Sequence, residues 1–133
     1  MENKYRNNNT TVSLIKYHFV FCPRYRRKIF LIKNIEERFK ELVKIKCEEL
    51  EIEIIAIKCN KDHAYMFLNC PPTLSPSDVM QQIKSYTSKI LRREFIELSQ
   101  MPSLWTRKFF VSTEEKVQSE TINQYIENQK KRY

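Results

Sequence analysis

An α+β sandwich, with helices laid on one face of an antiparallel sheet, is the fold class that three features of the sequence predict. Four stretches are dense in β-branched and aromatic residues, and two longer ones repeat apolar residues at three- and four-residue steps. The two kinds follow one another as strand, helix, strand, strand, helix, strand, with a closing helix. One domain over residues 1–133 is expected, because a chain of this length buries about two thirds of the surface its unfolded form exposes.

Residues 1–10, MENKYRNNNT, are polar and Asn-rich and are expected to be loose until the chain enters a sheet. TVSLIKYHFVFC, residues 11–22, suits a strand that Pro23 ends. RYRRK, residues 24–28, is a basic run with one aromatic inside. Ile32, Ile35, Phe39, Leu42, Val43, Cys47 and Leu50 then trace one face of an amphipathic helix whose other face is rich in Lys and Glu. EIEIIAIKC, residues 51–59, reads as a strand; Asn60 to Asp62 can turn the chain, and residues 63–70 run back to make a hairpin. After PPTLSPSD, Ser75 or Ser77 can cap a helix over 76–98 with Val79, Met80, Ile83, Ile90, Leu91, Phe95 and Leu98 on its apolar side. A connection around Pro102 and Trp105 leads to a short strand, KFFVS from 108, and SETINQYIENQKKRY from 119 closes the chain as a helix. Two split βαβ units on one sheet, the ferredoxin-like arrangement, satisfy this order with short connections.

Composition narrows the function classes. Apolar residues at 41% and charged residues at 30% argue against disorder. The longest apolar run, AYMFL at 64–68, is far short of the roughly 20 residues a membrane helix needs, and MENKYRNNNT has no apolar core for a secretory signal. A soluble cytoplasmic protein without a membrane partner is expected. Cys22, Cys47, Cys59 and Cys70 form no CxxC pair or zinc-ligand spacing, so buried reduced thiols are expected. A net charge of +8 attracts polyanions and points to nucleic acid. Glycine is absent, so any position with φ > 0 falls to Asn, Asp or another residue at a steric cost.

Several residues are candidates for chemistry. His63 and Tyr65, two apart on a strand, leave the same face. A neutral phenol with pKa near 10 is a poor metal ligand at pH 7, so Tyr65 is weak in that role. Tyr125 and Gln129 stand four apart on one helical face; spacing alone favours Tyr125 packing beside Ile122 and Ile126, with Gln129 facing water. RYRRK reads equally as a solvated loop or a nucleic-acid contact, in which Arg24, Arg26, Arg27 and Lys28 would grip phosphates and Tyr25 offer a face for a base. The tail Lys130, Lys131, Arg132 could add to the same field.

Five blocks together carry a resemblance: YHFVFCPRYRRKIF (17–30), DHAYMFLNCPP (62–72), IKSYTSKIL (83–91), LWTRKFFVST (104–113) and ETINQYIENQ (120–129). In order and spacing they resemble the small single-tyrosine HUH transposases of insertion sequences, the TnpA type, over nearly the whole chain. The resemblance implies a homodimer with a ferredoxin-like core that recognises hairpins in single-stranded DNA, cuts with a tyrosine near the C-terminus and holds the strand as a 5′-phosphotyrosine. It implies that Tyr125 is the nucleophile, His63 the first histidine of the HUH pair and Gln129 a further metal ligand, with Mg²⁺ or Mn²⁺ as the cofactor. Cleavage of a phosphodiester needs an in-line nucleophile and a Lewis acid on the phosphate oxygens, and those residue types supply both.

The chain also departs from that pattern. The second HUH histidine corresponds to Tyr65, and losing one imidazole should weaken metal binding at least about 10- to 100-fold. Asp62 is a hard donor next to His63, but a strand neighbour points to the opposite face unless the turn twists it round. Glycines common in the family, in the segment matching IKSYTSK and before the final helix, are missing. Two other readings therefore stand beside transposition: a hairpin-binding derivative with impaired catalysis, and an RNA-binding ferredoxin-like domain, since that fold hosts many functions.

Overall fold

A computed structural model describes residues 5–129; the basic tail Lys130, Lys131 and Arg132 lies outside them. Residues 6–10, expected to be loose, instead form one arm of a small hairpin between β1 (Arg6–Asn7) and β2 (Val12–Ser13). Its turn is built by Asn8, whose Oδ1 accepts from the backbone N–H groups of Thr10 and Thr11 at 2.9 and 2.8 Å. Arg6 ties the hairpin down by donating to the carbonyls of Glu51 and Asn69.

The main sheet comprises β3 (Lys16–Phe21), β4 (Glu53–Asn60), β5 (His63–Asn69) and β6 (Phe110–Ser112), all antiparallel, in the order β4-β5-β3-β6. This is the predicted ferredoxin-like order. On one face lie α1 (Lys33–Glu49) and α2 (Pro76–Glu94), packed with Phe19, Phe21, Ala64, Met66 and Leu68 of the central strands into the main core. On the other face α4 (Ser119–Gln129) covers Val20 and Cys22 through Ile126, with Tyr65 and Phe110 alongside. Because both faces of β3 are covered, residues 18–21 are buried without alternation.

The predicted 76–98 helix is two pieces. Ser75, not Ser77, is the N-cap, in a capping box with Asp78 and with Pro76 in the first turn. The helix stops at Phe95, whose extended backbone (φ −118°, ψ 116°) lets its ring reach the core before a single turn, α3 (Ile96–Ser99), buries Leu98. Trp105 anchors the following connection, packing edge-on against Phe21 and donating to Thr87 Oγ1 at 3.0 Å. Cys22, Cys47 and Cys70 are buried and free, as the sequence implies, while Cys59 is half-buried. Burial pushes the thiols of Cys22, Cys47 and Cys59 up to about 12.

Without glycine, the left-handed positions among the described residues fall to Tyr25, Arg26 and Glu51, not to Asn or Asp. Glu51 closes α1 in a Schellman motif: Ile52 N–H donates to Cys47 C=O at 2.8 Å and Glu51 N–H to Glu48 C=O at 3.2 Å. At φ 60° its Cβ is crowded. Glu51→Gly should therefore stabilise the protein by about 1 kcal/mol, raising the thermal midpoint by about 4 °C. A midpoint that stays or falls in a thermal melt would show that Glu51 is not strained.

Candidate active site

The two-residue turn of the β4–β5 hairpin brings Asn60 opposite His63. It also swings the buried Asp62 onto its neighbour: His63 Nδ1–H donates to Asp62 Oδ1 at 3.1 Å. Asn60 Nδ2 donates to His63 Nε2 at 2.9 Å. Asp62 thus fixes the imidazole tautomer and leaves Nε2 as the ring's accepting nitrogen. The opposite-face geometry expected for a strand neighbour does not hold for Asp62, because Asp62 belongs to the turn and β5 begins only at His63.

The other carboxylate oxygen holds the basic run. Arg26 Nε and Nη2 both donate to Asp62 Oδ2, at 3.0 and 2.8 Å. To reach it the backbone enters the left-handed region at Tyr25 (φ 61°) and Arg26 (φ 50°), a strain of about 1–2 kcal/mol per residue. Burial alone would raise the Asp62 carboxyl, but the bonds from His63 and Arg26 outweigh it and hold Asp62 below its ordinary value. Arg26 is shifted upward: burial works against its charge, and the pairing with Asp62 more than offsets that.

A cleft of about 360 Å³ opens beside this cluster, lined by Arg26, Asn60, Lys61, Asp62 and His63 and, from α4, Asn123, Ile126 and Glu127. Arg26 Nη1 stands 3.8 Å from Glu127 Oε2 across it. Asn60, Asn123 and Glu127 were not singled out from the sequence. Asn60 was legible as the partner of His63 across a two-residue turn, and Asn123 and Glu127 share a face at i and i+4, but only the helix docking shows which way that face looks.

Tyr65, Tyr125 and Gln129 do not line the cleft. Tyr65 does leave the same sheet face as His63, but its hydroxyl shares a 2.8 Å hydrogen bond with His18 Nδ1. Burial raises the phenol, so Tyr65 keeps its proton. His18 is itself buried, stacked on Phe67 with ring centres 4.0 Å apart. Tyr125 packs near Ile122 and Phe110, and its hydroxyl donates to Lys108 C=O at 3.1 Å. Gln129, expected to face water, is buried instead, because α4 lies flat on the sheet. Lys84 of α2 braces the loop before β6, donating to the carbonyls of Thr106 and Arg107; burial pushes its ammonium down to about 8.

The basic run is divided. Arg26 turns inward, whereas Arg24, Tyr25 and Arg27 line a separate hollow of about 110 Å³ with Gln100–Ser103, where Arg24 Nε donates to Ser103 Oγ at 2.7 Å. Lys28 is exposed.

Together these features define the class of protein: a ferredoxin-like α+β chain with a histidine-bearing polar cleft between its central hairpin and a helix laid on the face opposite the other helices. The chain belongs to the IS200-like transposase family, whose model it matches over residues 11–129. It is 33% identical over 117 residues to the transposase of insertion sequence element IS200 from Salmonella typhimurium, covering 86% of this chain and 76% of that one. It is 22% identical to the ISDra2 transposase TnpA of Deinococcus radiodurans, covering 86% and 84%. A solved structure from Deinococcus radiodurans described as a transposase superposes with a TM-score of 0.85 at 22% identity, over 93% of this chain and 97% of that one. A REP-associated tyrosine transposase bound to a REP hairpin superposes at 0.59 with 12% identity, over 89% and 67%. Among the described residues no helix is long and apolar enough to cross a membrane.

Removing the Asp62 charge strands Arg26 and frees His63. Asp62→Asn should lower stability by about 2–3 kcal/mol at pH 7, read from the shift of a urea unfolding curve. Because the folded carboxyl lies below its unfolded value of 3.8, the stabilisation is complete above that value and fades as pH falls through the lower, folded one. The gap between the two proteins' unfolding curves should therefore narrow as pH falls below 3.8; a gap that stays constant on acidification would deny Asp62 this role.

Proposed function

We propose that this transposase binds hairpins in single-stranded DNA and cuts and rejoins the strand through Tyr125. The observation that carries the reading is the seating of the Tyr125 helix on the sheet face from which His63 and Tyr65 project. The +8 charge and the hairpin held by the like-folded REP-associated protein support the choice of substrate, with Arg24, Tyr25, Arg27 and Lys28 as outward DNA contacts and Arg26 reaching the cleft.

In the reaction the Tyr125 oxygen forms a bond to phosphorus as the bond to O3′ breaks; the phenol proton is lost and O3′ leaves as a hydroxyl. One phosphodiester replaces another, so a 3′-hydroxyl can later reverse the step without ATP. His63 is held by Asp62 with its Nε2 accepting, and Tyr125 must leave Lys108 before it can attack. Among the described residues no three His, Cys, Asp or Glu side chains gather around one point, and the cleft offers Mg²⁺ or Mn²⁺ the His63 imidazole and the Glu127 carboxylate. His63 and Gln129 would hold the ion, which when bound neutralises charge on the phosphate oxygens. Asp62, both oxygens engaged, acts as the holder of His63, and Tyr65 is tethered to His18. Since Tyr125 and Gln129 stand outside the cleft of their own chain, a homodimer or a shift of α4 would bring them to it.

A nicking assay on hairpin oligonucleotides with Mg²⁺ or Mn²⁺ should yield a covalent protein–DNA adduct that a chelator abolishes and that Tyr125→Phe does not form. Equal adduct from both proteins would refute the assignment. The Tyr65–His18 bond favours a second reading, a hairpin-binding derivative with impaired catalysis. On that reading the natural chain binds hairpins without cutting them and Tyr65→His gains cleavage; robust cleavage by the natural chain excludes it.

A further inference from the structure

Arg26 offers three nitrogens, and Asp62 engages only two. Nε and Nη2 are committed to one carboxylate oxygen, whereas Nη1 faces the cleft, 3.8 Å from the carboxylate of Glu127. The Arg26 side chain is four-fifths buried and held by strained backbone, whereas the Glu127 side chain is 64% exposed on a helix attached by a small apolar cluster. One partner is thus built in and the other readily displaced. Around the same space stand Lys61 and the amides of Asn60 and Asn123, the cation and neutral donors that a phosphodiester oxygen accepts from. His63 lies within the same cleft.

We propose that Arg26 Nη1 is a phosphate-binding group of the His63 cleft, and that the Glu127 carboxylate occupies the phosphate's place until a DNA strand displaces it. The inference rests on the reading of this cleft as a DNA-processing site, and it adds a positioning role for Arg26 together with a built-in competitor that sets affinity. A carboxylate and a phosphodiester both present anionic oxygens that accept from a guanidinium N–H, and only Nη1 is involved, so exchange between them needs no rebuilding of the Arg26–Asp62 anchor.

Binding of a fluorescein-labelled ten-nucleotide thymidine strand, followed by anisotropy in EDTA, tests this without catalysis. Glu127→Gln should tighten binding by at most about fivefold, the ceiling for an exposed ion pair. It should also steepen the dependence of log affinity on log salt by about one unit, as one further phosphate is neutralised. Glu120→Gln, the same charge change at the start of α4, controls for net charge and should give less than half that gain. In an Arg26→Lys background, where the single ammonium can pair with Asp62 and leaves nothing in the place of Nη1, Glu127→Gln should gain no more than Glu120→Gln does. An equal gain from Glu120→Gln, no gain from Glu127→Gln, or a Glu127→Gln gain in the Arg26→Lys background that exceeds the Glu120→Gln control overturns the proposal. If Arg26→Lys does not fold, the Glu127 and Glu120 comparison decides alone. Adduct formation through Tyr125 with no gain from Glu127→Gln would sink the clamp and spare the transposase reading; the gain without any adduct would do the reverse.

Discussion

A buried carboxylate must be paired, and at Asp62 that requirement organises the whole cleft. Its two oxygens receive Arg26 on one side and His63 on the other, so the turn after β3, the tip of the β4–β5 hairpin and the orientation of the imidazole are joined at one residue. The joint also accounts for two left-handed residues in a chain without glycine, a strain that only a strong pairing sustains. As a consequence a run of basic residues that looks uniform in sequence is split, one arginine facing the histidine and its neighbours facing a second hollow.

The sheet is clad unequally. Among the described residues, more than twenty buried apolar residues form one core on the α1/α2 side; on the α4 side the buried apolar cluster is Val20, Cys22 and Ile126. At roughly 25 cal/mol per Å² of apolar surface, the smaller cluster holds its helix far less firmly. Elements with few buried contacts open at lower free energy than the core they rest on.

Tyr65 is held by the strand beside it. A phenol is longer than an imidazole, and here its hydroxyl reaches the adjacent strand and binds His18, which stacks on Phe67. The polar tip of residue 65 is thereby bound into the sheet, and the hydrogen-bond partners of His63 are the amide of Asn60 and the carboxylate of Asp62.

By itself the sequence determined the four strands of the main sheet, the helices that cover it, their order, the α+β class and the face shared by His63 and Tyr65, because period-2 and period-3.6 patterns are local consequences of backbone geometry; it did not show the β1–β2 hairpin. It also marked Ser75 as one of two possible caps and the cysteines as core residues. Tertiary structure alone decided that the long second helix breaks at Phe95, that Asp62 turns back onto His63, that Arg26 points inward, that Gln129 is buried, and that Glu127 meets Arg26. Each of these depends on groups far apart in the chain, where burial and charge pairing override what neighbouring residues prefer.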